Sequence, residues 1–225
     1  MKRITVIMFI LLLSAALIFS ATDVKITYVN NSENTDNPSV FVFTKNQVPT
    51  FDVLKDGVAW KTMPDIGKGS AHVFTYPGES YVRVTGSDGS ITNSIPANPG
   101  RTYIVKSEDG NLALMENGRA SDAEAIEVNN EAQGAGIVKA HITKDGKVLL
   151  SHDVYPSEKT IFKLKHKLYW GVASDIQEGQ AIGTADLLRD TFFEHDITGV
   201  KHAIVTLLGN PKDGYRFKVE HKREK

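Results

Sequence analysis

The sequence predicts an all-β protein made of two tandem β-sandwich modules of immunoglobulin-like type, preceded by a signal peptide. Three observations lead to this prediction: an apolar N-terminal segment, many short alternating runs separated by turn residues, and a phrase that occurs twice. The phrase is "YVNNSENTDNPSVFVFTKNQ" at residues 28–47 and "EVNNEAQGAGIVKAHITKDG" at residues 127–146. Aligned without a gap, Asn30 and Asn31 fall on Asn129 and Asn130. We interpret the repeat as an internal duplication of a strand–turn–strand unit.

Residues 1–21 have the layout of a secretory signal peptide. The basic pair Lys2–Arg3 precedes a long apolar run, and the small residues Ser20 and Ala21 precede a polar segment. Cleavage after Ser20 or Ala21 would release an exported protein, periplasmic or extracellular, with no stable membrane span. The alternative is an uncleaved anchor, since the apolar run approaches the roughly 20 residues needed to cross a bilayer.

The rest of the chain reads as short β-branched and aromatic runs divided by Gly, Asn, Asp and Pro, which is typical of strands. Examples are "VKITYV", "SVFVFTK", "ESYVRVTGSDGSITNSI" and "RTYIVKSEDGNLALM". Asp109–Gly110 and Asp145–Gly146 predict two-residue hairpin turns. Six or seven strands in each half favour a sandwich over alternating strands and helices.

The polar stretch at residues 116–125 is the most natural boundary between the halves. It places a first module at residues 22–118 and a second at residues 124–225. A segment at residues 47–69 interrupts the strand pattern of the first module as an insert, and its Thr50–Asp52 opening favours a short helix. Residues 184–199 also show near-helical spacing, which predicts one or two helical turns.

The composition excludes several classes of function. The chain has no cysteine, so it has no disulfides, no cysteine nucleophile, no iron–sulfur cluster and no thiolate zinc site. Its formal net charge of −1 provides no basic face for nucleic acid. The Gly-x-Ser-x-Gly motif of serine hydrolases is absent as well. We expect no cofactor.

Three aromatic residues are the candidate binding residues: Trp60, Tyr169 and Trp170. Exposed aromatic rings on β-sandwiches stack on sugars or anchor protein partners. The alternative is that these rings lie in the core, where large aromatic side chains are found on average.

The histidines raise the hypothesis of a metal site, with His152, His195 and His202 as its candidate ligands. His152 and His195 each precede an aspartate. Adjacent residues of a strand point to opposite faces, so neither histidine can share a metal with the aspartate beside it in regular strand geometry. The ligand spacing is therefore weak, and a metal centre stays an alternative only.

The stretches "NPSVFVFTKNQVPTFDVLKDGVAWKTMPDIGKGS", "KLYWGVASDIQEGQ" and "GNPKDGYRFKVE" resemble a little-characterised family of secreted bacterial proteins. The resemblance covers nearly the whole chain after the leader, and it implies an exported architecture of two modules. Members are sometimes labelled aromatic ring-opening dioxygenase. Extradiol ring cleavage needs an iron held by two histidines and a carboxylate, and the spacing here does not point to such a set. The resemblance therefore implies no catalytic residue.

The leading functional hypothesis is a secreted or periplasmic binding or interaction protein that is not an enzyme. Its partner would be an unknown protein or carbohydrate, and the loops with the 47–69 insert would form the contact surface. One alternative is a metal-dependent oxygenase that uses His152, His195 or His202. Another is a structural or assembly protein that pairs exposed strand edges with a partner.

Overall fold

The protein is all-β. The structure, a computed structural model, describes residues 22–33, 39–49, 54, 56–183 and 192–222. These residues form strands, turns and loops but no helix, and none of them belongs to a helix that could cross a bilayer. The signal peptide predicted at residues 1–21 and the helix start predicted at Thr50–Asp52 lie outside the described residues. The predicted helical turns at residues 184–199 lie outside them up to residue 191, and beyond it the chain forms a strand.

Sixteen strands are present in the described residues. In chain order they are β1 (Val24–Asn30), β2 (Ser39–Phe43), β3 (Lys61–Met63), β4 (Ala71–Tyr76), β5 (Tyr81–Gly86), β6 (Ile95–Pro96), β7 (Arg101–Glu108), β8 (Asn111–Arg119), β9 (Ala125–Asn130), β10 (Val138–Lys144), β11 (Lys147–Val154), β12 (Lys159–Lys163), β13 (Lys167–Ala173), β14 (Phe193–Asp196), β15 (His202–Asn210) and β16 (Gly214–His221).

The strands form four sheets of four strands each within the described part of the chain. Their orders are β16-β15-β1-β4, β11-β10-β5-β6, β12-β9-β7-β8 and β14-β13-β2-β3. Two central pairs, β1–β15 and β7–β9, are parallel, and the other two, β5–β10 and β2–β13, are antiparallel. Several sheets around apolar interiors are what the sandwich prediction requires at the level of fold class.

Sheet membership differs from the tandem arrangement that the sequence predicts. Each sheet takes two strands from residues 22–118 and two from residues 124–225, and the central pair of every sheet joins the two halves. The halves therefore interlock through all four sheets instead of each closing its own sandwich. Strand alternation and turn residues are local properties, so they do not specify which half supplies a strand's partner.

The sheet orders show the duplication directly. Replacing each strand of the first half by the strand eight places later, and the reverse, converts the sheet β16-β15-β1-β4 into β8-β7-β9-β12. The same exchange converts β11-β10-β5-β6 into β3-β2-β13-β14. Both results are sheets of the molecule, and parallel pairs map onto parallel pairs. The fold is thus a pseudo-twofold pair of interlocked eight-strand halves.

A buried asparagine marks the equivalent point of each half. Asn30 ends β1 and Asn130 ends β9, and each accepts through Oδ1 a hydrogen bond from the backbone N–H two residues on, of Ser32 at 2.9 Å and Ala132 at 3.2 Å. The Asn30 amide also donates to the backbone carbonyl of Ile66, and the Asn130 amide donates to those of Gly136 and Val154. Asn30 therefore corresponds to Asn130 and not to Asn129, so the gap-free match of the sequence is one residue out of structural register.

A single large apolar core receives side chains from twelve of the strands, in both halves, and includes Trp60, Trp170 and Tyr28. A second, smaller cluster covers the opposite face of β2 and β13, where Phe41 and Phe43 point. The sheet β14-β13-β2-β3 is therefore buried on both faces, which explains why β2 reads as a continuous apolar run.

Part of the 47–69 insert lies against the outer face of that sheet, and its residues Lys61–Met63 form the sheet's edge strand β3. Leu54 and Ala59 of the insert pack in the smaller cluster together with Ile176, Ile182 and the partly buried Phe192. Isolated bridges join the insert to β11 and to the segment after β13, at Gly57–Leu150 and Val58–Ala181. The described part of the insert thus supplies a second layer over one sheet through Leu54 and Ala59, and it also supplies that sheet's edge strand β3.

The interlock predicts that neither half folds as a monomer. Residues 22–118 and 124–225, produced separately, are expected to lack native tertiary structure because each is missing half of every sheet. Mixing them during refolding should restore the native amide spectrum, read by nuclear magnetic resonance. A fragment that folds as a homodimer would keep the interlock with its own copy as partner, whereas a folded monomeric fragment in sedimentation would contradict it.

Gly171 is expected to be essential for packing, since the Phe41 ring lies against its backbone. A Cβ at Gly171 would lie 2.3 Å from Cζ of Phe41, a fully buried residue. Gly171→Ala should lower the free energy of unfolding by about 1–3 kcal/mol. Gly67→Ala is the control, because its Cβ would have its nearest neighbour at 3.9 Å. Equal urea midpoints for the two variants would contradict the close contact.

Candidate functional site

The two tryptophans lie in the core and form no binding platform. Trp60 is 2% exposed and Trp170 is fully buried. The Trp60 indole N–H donates to the carbonyl of Lys144 at 3.2 Å, and its ring meets that of Tyr76 edge-on. Trp170 stacks with Tyr28 at a centroid distance of 6.3 Å. Of the two alternatives that the sequence left open, the core position therefore holds for both tryptophans, and neither ring is exposed to a ligand.

Tyr169 is also buried, with 4% exposure, but its hydroxyl reaches a polar rim. The hydroxyl donates to Oε2 of Glu194 at 3.0 Å, and Glu194 also binds Lys167. The Lys45 ammonium lies 4.3 Å from the centroid of the Tyr169 ring and 4.0 Å from that of Phe192. Burial lowers the pKa of Lys45, and the Glu194 carboxylate partly opposes this. These contacts close the edge of the smaller cluster and leave the Tyr169 ring no free face.

The three candidate metal ligands lie in three different sheets and bind different partners. His152 on β11 contacts Asp56, His195 on β14 contacts His221, and His202 at the start of β15 contacts the hydroxyl of Thr27. In the described part of the chain, no group of three or more His, Asp or Glu side chains is placed to hold a metal ion. The residues proposed for an oxygenase-like centre do not converge.

His152 forms the most enzyme-like contact. Its Nδ1 lies 2.6 Å from Oδ1 of Asp56, whose other oxygen accepts a hydrogen bond from Asn46 at 3.0 Å. Asp56 has a left-handed backbone, with φ of 69°. An oriented Asp–His pair can serve as a general base, but catalysis by a nucleophile also needs a hydroxyl or amine at the imidazole. Within the described residues no such group hydrogen-bonds to His152, so the pair is best explained as a tie between the insert and β11.

His195 and His221 share a hydrogen bond between sheet edges. Their Nε2 atoms are 3.1 Å apart and the ring centroids 5.3 Å apart, so the two nitrogens meet nearly head-on. Because the two nitrogens face each other directly, a metal ion at about 2.0–2.1 Å from each could not lie along both lone pairs at this separation. Burial, and then the neighbouring imidazole, lower the pKa of His195 to about 4.

The duplication identifies a more promising pair. β5 begins opposite β6 in the same way as β13 begins opposite β14. Two residues further along, Arg83 and Tyr169 therefore occupy equivalent positions. Arg83 is opposite His141 across its sheet's central pair, and Tyr169 is opposite Phe43 across the corresponding pair. An apolar pair covered by the insert thus has an Arg–His pair as its counterpart.

The Arg83–His141 pair has unmet hydrogen-bonding capacity. Nε of Arg83 and Nδ1 of His141 are both buried and have no hydrogen-bond partner within the described residues. The whole His141 side chain is only 9% exposed. Nε2 of His141 lies 3.1 Å from the hydroxyl of Thr85. Buried polar atoms are nearly always paired, with protein or with water. Five buried side-chain atoms in the described residues lack a partner, the other three being Asn129 Oδ1, Trp170 Nε1 and His195 Nδ1. Arg83 and His141 differ from these in lying directly opposite each other on paired strands.

The electrostatics of this face favour a negative ligand. Burial first, then the charges of Arg83 and Lys139, lower the pKa of His141 to about 4, while Asp153 acts in the opposite direction. Lys139 pairs with Asp153 at 3.4 Å, and both are about half exposed. Arg83 forms no ion pair in the described part of the chain, so its charge is available.

Sequence reasoning did not single out Arg83 or His141. The alternation in "YVRVTG" and "VKAHITK" does place them on the polar face of their strands. What it does not contain is the register that sets β5 beside β10, because the two strands lie in different halves of the chain.

Comparison with known proteins places the chain in one family. Its sequence matches the family model described as RhiA over residues 21–210. No curated protein and no solved structure matches the chain. The match supports the resemblance as far as membership of a small family, and it assigns no activity.

Acid is expected to destabilise the protein through His141 and His195. The pKa of each is about 4 in the folded state against an ordinary histidine value of 6.5, so the unfolded chain binds more protons between these limits. The free energy of unfolding should therefore fall as pH drops from 6.5 to 4, by about 2–3 kcal/mol for each histidine. Urea unfolding across this range measures it. His141→Gln and His195→Gln should each flatten the dependence, and the exposed His166→Gln should not; three identical slopes would contradict it.

Proposed function

We propose that this chain, which belongs to the RhiA family, is an exported protein that binds its ligand without transforming it. The observation that carries the proposal is the buried, unpartnered pair Arg83 and His141 on the outer face of the sheet β11-β10-β5-β6. Its counterpart in the sheet β14-β13-β2-β3, Tyr169 and Phe43, is apolar and covered. The fold therefore does not need polar groups at this position.

The surroundings of the pair suit recognition better than chemistry. Ser151 lies opposite His141 and Lys139 lies opposite Thr85, so hydroxyl and ammonium groups line the same face of neighbouring strands. These groups bind acidic or hydroxyl-rich molecules, such as an acidic carbohydrate or a protein surface. The Thr85 hydroxyl contacts Nε2 of His141, but in the described residues no carboxylate hydrogen-bonds to Nδ1 to orient the ring as a general base. A sheet face also gives no enclosure to a reacting group.

Export is part of the proposal and rests on the sequence of residues 1–21. The protein is expected in the periplasm or the medium, with an N-terminus at Ala21 or Thr22 after cleavage. Cell fractionation followed by N-terminal sequencing checks this. A full-length chain that begins at Met1 and remains with the membranes would contradict cleavage and support the anchor.

Binding is tested by mapping ligands onto the sheet face. The mature protein, labelled with ¹⁵N, is titrated with a polyuronate, a neutral glucan and an acidic peptide, and amide shifts are followed. At least one probe is expected to shift residues of β5, β10 and β11 together. Arg83→Gln should weaken that binding, while Arg216→Gln removes the same charge from exposed β16 and should leave it unchanged. Shifts confined to other sheets would contradict this face as the site.

A second candidate function, assembly through a strand edge, is favoured by β4. β4 and β12 are equivalent edge strands, since each pairs with the opening strand of its half. The outward positions hold Ala71, Val73 and Thr75 in β4 and Lys159, Ile161 and Lys163 in β12. Lysines on an edge prevent pairing with other chains, and β4 lacks them. A second copy of this chain is the partner we propose, because two β4 edges meet without like charges.

Self-association is expected to depend on Val73, which is 54% exposed. Val73→Lys should abolish any concentration dependence of the sedimentation coefficient, because it restores an edge charge. Ile137→Lys alters another exposed apolar residue away from β4 and should have no effect. A wild-type protein that stays monomeric at all concentrations would remove this second candidate.

A further inference from the structure

We infer that Arg83 and His141 form an oxyanion subsite, in which the Arg83 Nε–H and the His141 Nδ1–H donate hydrogen bonds to one phosphate-, sulfate- or carboxylate-type group. The inference deepens the proposed function, because it names the chemical class of ligand for the same sheet face. It rests on that proposed function and on two buried nitrogens without partners, which belong to residues that lie opposite each other on paired strands.

The contact with Thr85 determines which ring nitrogen of His141 carries the proton. A neutral imidazole carries one N–H, and the other nitrogen accepts. If the Thr85 hydroxyl donates to Nε2 of His141 across their 3.1 Å contact, the ring proton resides on Nδ1. That nitrogen is the buried atom without a partner. A neutral His141 is thus prepared as a hydrogen-bond donor and needs no proton uptake to bind an anion.

The guanidinium group of Arg83 lies on the strand beside His141. Arg83 and His141 are directly opposite each other on antiparallel strands, where side chains on one face lie within contact distance. Nε of Arg83 is likewise buried without a partner. Guanidinium groups match the planar, divergent acceptors of oxyanions better than lysine does. Two N–H groups with unmet capacity therefore lie side by side and can converge on one acceptor group.

No carboxylate in the described part of the chain pairs with Arg83 or His141 in place of a ligand. Asp153 is the carboxylate that acts on His141 from the neighbouring strand, and it is already paired with Lys139. Arg83 has no carboxylate partner in the described part of the chain. Charge at the pair is therefore positive and uncompensated, which is the condition for binding an anion and not a cation.

The equivalent pair of the duplicated fold consists of two aromatic residues. The equivalent residues Tyr169 and Phe43 contact each other at a ring-centroid distance of 5.4 Å and offer no N–H group at this position. Leu54 and Phe192 lie over them. The duplicated fold thus accepts an apolar pair at this position, and the polar pair in the equivalent sheet has a role other than packing.

The experiment uses the mature protein with ¹⁵N-labelled histidine and arginine. Inorganic phosphate, sulfate, acetate and a sugar phosphate are titrated separately at constant ionic strength. Saturable shifts of His141 Nδ1 and of Arg83 Nε–H are expected with at least one of these probes. Tighter binding of the sugar phosphate than of inorganic phosphate identifies a phosphorylated molecule as the ligand, and equal affinity identifies the free ion.

Variants separate the subsite from general attraction of anions. Arg83→Gln and His141→Gln are each expected to weaken binding about tenfold or more, as the loss of a hydrogen bond to a charged group does. Arg83→Lys retains the charge without the fork and should bind more weakly than wild type. Arg216→Gln and His166→Gln, on exposed positions elsewhere, should bind as wild type does.

Two results would overturn the inference: no saturable shift with any of the four anions, or equal losses in the site and control variants. Either result leaves the proposed function standing if a neutral glucan or a peptide still shifts the same sheet face. Conversely, anion binding at Arg83 and His141 without any larger ligand on this face would support the subsite and count against the broader proposal.

Discussion

The pairing of strands between the two halves of the chain is the constraint on which the rest of the structure depends. Four central pairs, β1–β15, β7–β9, β5–β10 and β2–β13, each join one half to the other. Without them every sheet would be cut into two-stranded pieces, which are at best marginally stable in water. Asn30 and Asn130 reinforce this arrangement, since each ends one strand of a parallel central pair and ties it to adjacent loops. A chain without disulfides thus gains its cohesion from long-range strand pairing and one shared core.

The same duplication allows residues at equivalent positions to be compared, and a difference between them points to a candidate functional residue. Two halves that share a frame need the same packing, so differences at equivalent positions reflect other demands. The pair Tyr169–Phe43 is apolar and covered by the insert, while the pair Arg83–His141 retains donors that no described residue satisfies. Elsewhere, His152 with Asp56 and His195 with His221 form contacts that connect parts of the fold. The polar pair alone combines burial, positive charge and unmet hydrogen bonding.

Local features of the structure were well predicted from the sequence. Asp109–Gly110 and Asp145–Gly146 do form hairpin turns, and all four residues have positive φ, as such turns require. The all-β class follows from the same alternation and turn chemistry. Trp60 and Trp170 are buried, as the core alternative predicted, and so they are not exposed binding surfaces. The sequence left both alternatives open because an aromatic residue at the end of a run can face either a core or solvent, and only the facing sheet decides which.

By itself, the sequence determined the all-β class, most of the strands, their turns and the existence of a duplication, since these depend on residues close together in the chain. It predicted six or seven strands in each half, where the described residues form eight. Only the tertiary structure decided that the halves interlock, that Asn30 corresponds to Asn130, and that Arg83 lies opposite His141. These three facts are matters of partner and register between distant strands. A polar face in one strand is compatible with many partners, so alternation alone carries no information about which of them packs beside it.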